Sequence, residues 1–315
     1  MLNRRILRIK VFKAAFTAAL NGNFSTADAE KELKESCEAT RDLFVYMSGI
    51  VEPLTRTARE RIESLRSKFN PTEEERNPNM KFCDNRLAQI LSEDRELGSN
   101  MKRRGFFWDQ YDIFLRKVLD SVYSKQYFID YMNSGKSSLD EDCRLFVRIF
   151  EEEFSGVPEL ESILEDMSIY WNDDLEYALT CCCHTFMDIA KGGGWTLPCL
   201  YRSQMKGQAS GLEDDQVFAR RLLQLTLVNY GKYSEMVYES AKGWDADRLF
   251  LSDVVLVVMG IAEIMGFPNI PVRVSMNEYV EISKYYGTPK SRVFVNGILD
   301  RIVRKLREEG QTVKE

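Results

Sequence analysis

The sequence predicts an all-α protein on three observations. Proline is scarce, at 8 of 315 residues. Long stretches are dominated by Glu, Lys, Arg, Leu and Ala, the residues that lose least on entering a helix. Near the end of the chain, Val295, Ile298, Leu299, Ile302 and Leu306 recur at the spacing of one helix face. No substantial sheet, internal repeat or low-complexity segment is expected.

The first helix is predicted from about Asn3 to Leu20, stopping at Asn21-Gly22, where glycine supplies a left-handed cap. At about 100° per residue, Arg4, Arg5 and Arg8 share one arc, and Lys10 and Lys13 another. Ile6, Ile9, Phe12 or Lys13, and Phe16 are expected to face a core. A long helical pattern follows from Thr26 to about Phe69, with a new start or kink at Pro53. Asn70-Pro71-Thr72 and the three glutamates after it read as a loop and a helix cap. Between there and Gly211 the helices are short, broken at Pro78, Gly98, Gly105, Gly135 and Pro158, and Lys191–Gly211 reads as a surface loop. Helices return over Leu212–Lys242 and, strongly apolar, over Trp244–Gly266. Ser275 with Glu278 has the spacing of a capping box for a helix ending near Tyr286, and Ser291 is placed to cap the last helix.

With 44% hydrophobic and 29% charged residues, the composition is that of a globular chain. A net charge of -6 argues against a wholly basic nucleic-acid binder, yet a basic patch on an acidic body remains allowed. Arg8, Lys10 and Lys13 interrupt any signal-peptide core, no stretch suits a bilayer, and seven cysteines suggest a reduced, cytoplasmic setting.

Two constellations point to nucleic acid. Arg4, Arg5 and Arg8 put guanidinium groups where they can meet successive phosphates or stack on unpaired bases; the plainer alternative is a solvated face. Tyr286, Lys290, Ser291, Arg292 and Phe294 set aromatics beside cations at a helix start, a platform for single-stranded RNA; the plainer alternative makes Phe294 core and Ser291 a cap. Asn296 is a further candidate, and Gly297 suggests a close helix crossing.

Other signals carry no chemistry. Cys181-Cys182-Cys183-His184 would point four ways on a helix and cannot close on one ion. Gly192-Gly193-Gly194 lacks the lysine and hydroxyl of a phosphate loop. The single histidine has no evident catalytic partner, and no cofactor or enzymatic activity is expected.

The Arg-rich opening helix, Ile270-Pro271 through Asn277-Glu278, Phe294-Val295-Asn296-Gly297-Ile298-Leu299-Asp300, and Ala219-Arg220 leading to Trp244 together resemble the NusB family of bacterial transcription antitermination factors. The resemblance spans roughly 1–65 and 216–307 and divides the chain into 1–69, a helical insertion over 70–215, and 216–315. It implies an all-helical fold of two small bundles packed together, carrying the additional helical insertion, and binding of boxA-type RNA from ribosomal RNA operon transcripts, jointly with the ribosomal protein NusE and within an elongation complex holding other Nus factors. A homodimer is compatible with it. It also implies contact with the protein partner at Asp253; Glu263, on a different part of the same helix, is a further candidate for that role. Relatives often carry an acidic residue where this chain has Lys290, so its RNA preference is expected to differ. The competing reading is a helical protein–protein adaptor whose insertion carries the main function.

Overall fold

A computed structural model describes residues 1–201, 214–242 and 249–310. Among the described residues there is no β-strand. The helices are α1 (Arg4–Asn21), α2 (Thr26–Ser48), α3 (Val51–Arg66), α4 (Glu73–Arg76), α5 (Arg86–Glu93) and α6 (Arg95–Arg104). There follow α7 (Asp112–Ser124), α8 (Gln126–Asn133), α9 (Leu139–Glu153), α10 (Pro158–Met167) and α11 (Leu175–Ala190). The last five are α12 (Asp215–Val228), α13 (Tyr230–Ser240), α14 (Leu251–Gly266), α15 (Val272–Tyr286) and α16 (Ser291–Glu308).

The chain divides into two compact units. Unit 1 holds residues 1–37 and 199–315, and unit 2 holds 38–198. These boundaries fall at 37/38 and 198/199, where the sequence reading set 69/70 and 215/216, because the second half of α2 and all of α3 pack with the helices that follow them.

In unit 1, α14 is the central helix. Twelve of its residues from Asp253 to Ile264 are buried, and α1, α12, α13, α15 and α16 all pack on it. The helix approaches α16 closely at Gly260, where a Cβ would lie 2.8 Å from a methyl of Leu299. The five-residue stripe expected on α16 is buried throughout. The close crossing thus depends on Gly260, which the sequence reading did not single out. The Asn3 side chain caps α1 by accepting from the Ile6 N–H, and Gly22 ends it with φ 64°. The buried apolar face of α1 is Leu7, Val11, Phe12, Ala14, Ala15 and Ala18; Phe12 is buried as expected, whereas Ile6, Ile9 and Phe16 are only half-buried. The backbone at Met1 and Leu2 is fastened to Cys199 and Leu200 carbonyls.

Unit 2 is built around stacked aromatics. Tyr46 lies between Trp108 and Trp171 at centroid distances of 4.2 and 5.6 Å. Both indoles donate to backbone carbonyls, Trp108 to Tyr46 and Trp171 to Ala39, so their polar edges are satisfied inside the core. Thr72 provides the expected helix cap and forms a capping box with Glu75, whereas Gly98 lies inside α6 and breaks nothing. In the loop read as a surface segment, Trp195 is buried against Phe44; its continuation from 202, with Trp244, lies outside the described residues. The cysteine run diverges on α11 as expected: Cys182 approaches the Phe44 carbonyl, Cys183 the Val147 carbonyl, and His184 is exposed.

Candidate nucleic-acid interface

The site is best built outward from a buried carboxylate. Glu263 on α14 is fully buried and accepts four hydrogen bonds. Arg8 donates two, both at 2.8 Å, Ser275 one at 2.7 Å, and the Tyr279 hydroxyl one at 2.9 Å. Desolvation works against the Arg8 charge, yet the hydrogen bonds and field of Glu263 outweigh it and raise its pKa. Burial, reinforced by Glu263, pushes the Tyr279 hydroxyl upward too. This network locks α1, α14 and α15 together.

It also revises four expectations. Arg8 is 4% exposed with its guanidinium committed to Glu263, so it is internal and meets no phosphate. Glu263 has no surface to offer a protein partner. Ser275 does not cap α15, which starts at Val272 with Pro271 ahead of it; its hydroxyl is held by Glu263. Glu278 completes no box either, since it pairs with Arg5 at 2.8 and 2.9 Å, and that pairing holds the Glu278 carboxyl below its usual range.

Arg4 is partly exposed, bound to Asp215 at 3.1 Å and lying 4.6 Å above the Phe218 ring, so it mainly fastens α1 to α12. Arg5 remains half-exposed at the surface. Further along α1, Lys13 Nζ stands 5.8 Å over the ring of Tyr286, and Phe12 packs against the same ring at 5.3 Å. Lys13, on the arc set apart from the arginines, is therefore the cation brought to Tyr286. Both residues were visible in the sequence, but nothing in it joined a lysine of the first helix to a tyrosine near the last.

The turn between α15 and α16 is tight. A Cβ on Gly287 would lie 2.4 Å from Ser291 and 2.7 Å from the Ser283 carbonyl, so only glycine fits. Ser291 Oγ accepts from the Thr288 N–H and donates to Asp253 Oδ2 at 2.8 Å. It thus ties the turn to α14, and the expectation that it caps α16 or meets RNA is corrected: it is 1% exposed. Phe294, 3% exposed, belongs to the core wall, as the plainer reading held. Lys290, Arg292 and Asn296 are exposed and Tyr286 is half-buried.

Asp253 is buried, and its Oδ1 has no hydrogen-bond partner. Burial drives its pKa up, only partly countered by Ser291. It borders a cavity of about 570 Å³ with Phe250, Thr288, Pro289, Lys290, Val293 and Phe294. A second groove, between α15 and α16, is lined by Arg273, Asn277, Glu281, Arg292 and Asn296 over Met276 and Val280. Glu281 is lowered chiefly by its bond to Lys284, and further by the fields of Arg5 and Arg292. A single carboxylate thus senses cations from both the opening and the closing helix.

The NusB family profile matches residues 200–304 of this chain. The transcription antitermination protein NusB of Pelotomaculum thermopropionicum is 37% identical over 103 residues, 33% of this chain and 72% of that protein. That of Bacillus licheniformis is 37% identical over 98 residues, 31% of this chain and 75% of its own length.

The chain belongs to the NusB family.

The NusB protein of Salinibacter ruber is 35% identical over 97 residues, 31% of this chain. The match spans 61% of that relative, and 64% of the one from Natranaerobius thermophilus. No solved structure matches the chain. The NusB-like match runs from α12 into α16. Helix α1 and all of unit 2 lie outside it.

Proposed function

We propose that unit 1 binds single-stranded, boxA-type RNA from ribosomal RNA operon transcripts, jointly with the ribosomal protein NusE, and works without catalysis as a cytoplasmic transcription antitermination factor alongside other Nus factors. The observation that carries this reading is that Lys13 of α1 stands over Tyr286, while Arg5 of α1 and Arg292 of α16 both act on Glu281, so cations from both ends of the sequence reach the α15–α16 face. Cations supply sequence-independent phosphate affinity, and a half-buried tyrosine supplies a stacking face worth about 1–3 kcal/mol per base. The names of the relatives, transcription antitermination protein, support the process.

Asp253 supports a partner-facing role, now with a chemical form. Asp253 borders an apolar cavity and has one carboxylate oxygen without a hydrogen-bond partner, which suits a partner side chain with an apolar stem and a donor tip. The test is an anisotropy titration of the full chain with a boxA-type RNA, with and without NusE. Added NusE is expected to tighten RNA binding; equal affinity removes the joint site, and no binding in either arm removes the RNA reading. Lys290→Glu is expected to weaken binding and lower the dependence of log K on log salt, and an unchanged slope counts against Lys290.

A second reading, unit 2 as a docking adaptor, draws on a pocket of about 350 Å³ that includes half-exposed Phe107 beside Trp108, Glu52, Arg56 and Asp109. Loss of partner capture in unit 2 variants that leave RNA binding intact would favour it.

A further inference from the structure

The α15–α16 groove has a composition that neither packing nor helix stability requires. Arg273, Asn277 and Glu281 stand four residues apart, so they form one row along α15, about 12 Å from end to end. Arg292, Val293 and Asn296 face them from α16. Met276 and Val280 make the floor, and Met276 packs on the buried cluster of Ile264, Val272 and Val303. The open groove offers about 520 Å³, within the roughly 300–1,000 Å³ of small-ligand sites.

The charges are just as specific. Among the described residues, neither Arg273 nor Arg292 has a carboxylate within ion-pair distance. The one acid in the groove, Glu281, is bonded to Lys284 at 2.6 Å. Two free guanidinium groups therefore flank an apolar floor with two exposed carboxamides. Each carboxamide offers both a donor and an acceptor, the pair that a base edge presents in return.

We propose that this groove is a nucleotide pocket that takes one unpaired base of the bound strand. The base lies on Met276 and Val280, Asn277 and Asn296 read its edge, and Arg273 and Arg292 hold the flanking phosphates. The inference rests on the RNA reading above, adds Arg273 and Asn277 to it, and makes the α15–α16 face a place where sequence is read and not only charge. A carboxamide pairs best with the adenine edge, so adenine is the preferred base.

The test uses the full chain with fluorescent single-stranded 12-mers of A, C and U, and an acidic peptide of equal charge as competitor. Both residues are exposed, so Arg273→Ala and Asn277→Ala are expected to fold, which circular dichroism checks. Arg273→Ala is expected to weaken all three RNAs alike and to reduce the salt slope by about one. Asn277→Ala is expected to weaken the A 12-mer by about tenfold, within the discrimination of one bidentate contact, and the C and U 12-mers much less. If both variants bind as wild type while Lys290→Glu or Arg5→Ala loses affinity, the pocket is refuted and the RNA reading stands. If wild type binds none of the RNAs, the functional reading fails and takes the pocket with it. If the two variants alter only the affinity for the acidic peptide, the nucleotide assignment is refuted in favour of a protein ligand.

Discussion

Helix α3 of unit 2 and the α15–α16 face of unit 1 use arginine in opposite ways. On α3, Arg56 meets Asp109, Arg59 meets Asp84 and Arg61 meets Asp120, with the arginine side chains 42–48% exposed. On α15 and α16, and at the turn between them, Arg273, Lys290 and Arg292 are exposed and no acid is within ion-pair distance among the described residues. Exposed pairs of the first kind stabilise little but cancel each other's field. Unpaired cations leave a field standing at the surface, which favours an incoming polyanion. The buried Arg8–Glu263 pair is a third case, where arginine serves the fold alone.

The sharpest way to break that distinction is to remove one acid from a buried pair and one from an exposed pair. Glu263→Ala leaves Arg8 charged and buried, with the Ser275 and Tyr279 hydroxyls also deprived of their acceptor. A loss of about 3–5 kcal/mol is expected from urea unfolding. Asp120→Ala, which only frees Arg61 into water, is expected to cost less than about 1 kcal/mol. The double variant Arg8→Met/Glu263→Met is expected to recover most of the loss, because no orphaned charge remains. Equal midpoints for Glu263→Ala and Asp120→Ala would show that the four-bond network holds nothing together.

A second contrast concerns two helical glycines. Gly260 on α14 faces Leu299, and a methyl there must displace a buried side chain. Gly98 on α6 has nothing within 4 Å of a built Cβ. Gly260→Ala is expected to destabilise by about 1–3 kcal/mol through overpacking. Gly98→Ala is expected to stabilise by about 0.4–1 kcal/mol by restricting the unfolded chain. Thermal melts shifted in the same direction by both would contradict the close α14–α16 approach.

What the sequence disclosed and what it hid separate along the same line. The ends of α1, the helix cap at Thr72 and the α16 stripe were legible because each depends on neighbours within a turn or two. Ser275 and Glu278 had the spacing of a capping box, but each side chain is claimed from elsewhere, Ser275 by Glu263 and Glu278 by Arg5. Nothing local distinguishes Arg8 from Arg5, since what buries Arg8 is a carboxylate 255 residues later. The cationic character of the site was readable, whereas its membership was decided by long-range partners. Hence Arg8, Ser291, Phe294 and Glu263 leave the candidate set, while Lys13, Arg273 and Asn277 enter it.

The smallest expected effects come from two carboxylates of unit 1 that respond to pH in opposite senses. The pKa of Glu278 is depressed in the folded chain, mainly by Arg5, so its contribution is full above the usual glutamate pKa and fades as pH falls through the folded value. Glu278→Gln should therefore lose roughly 0.2–1 kcal/mol at neutral pH and match wild type in acid. Burial raises the pKa of Asp253, so the folded chain holds this proton more tightly than the unfolded one. Its ionisation then lowers stability as pH rises from the unfolded pKa through the folded one. A carboxamide in place of this carboxylate would still accept from Ser291 without a buried charge. Asp253→Asn is thus expected to match or exceed wild type by about 0.5–1 kcal/mol at neutral pH, with the gain vanishing in acid, and to weaken partner binding. Urea midpoints of the three proteins between about pH 3 and 8 decide it. An Asp253→Asn deficit at neutral pH would mean that the carboxylate stabilises the fold, and that its unpartnered oxygen is not held ready for a ligand.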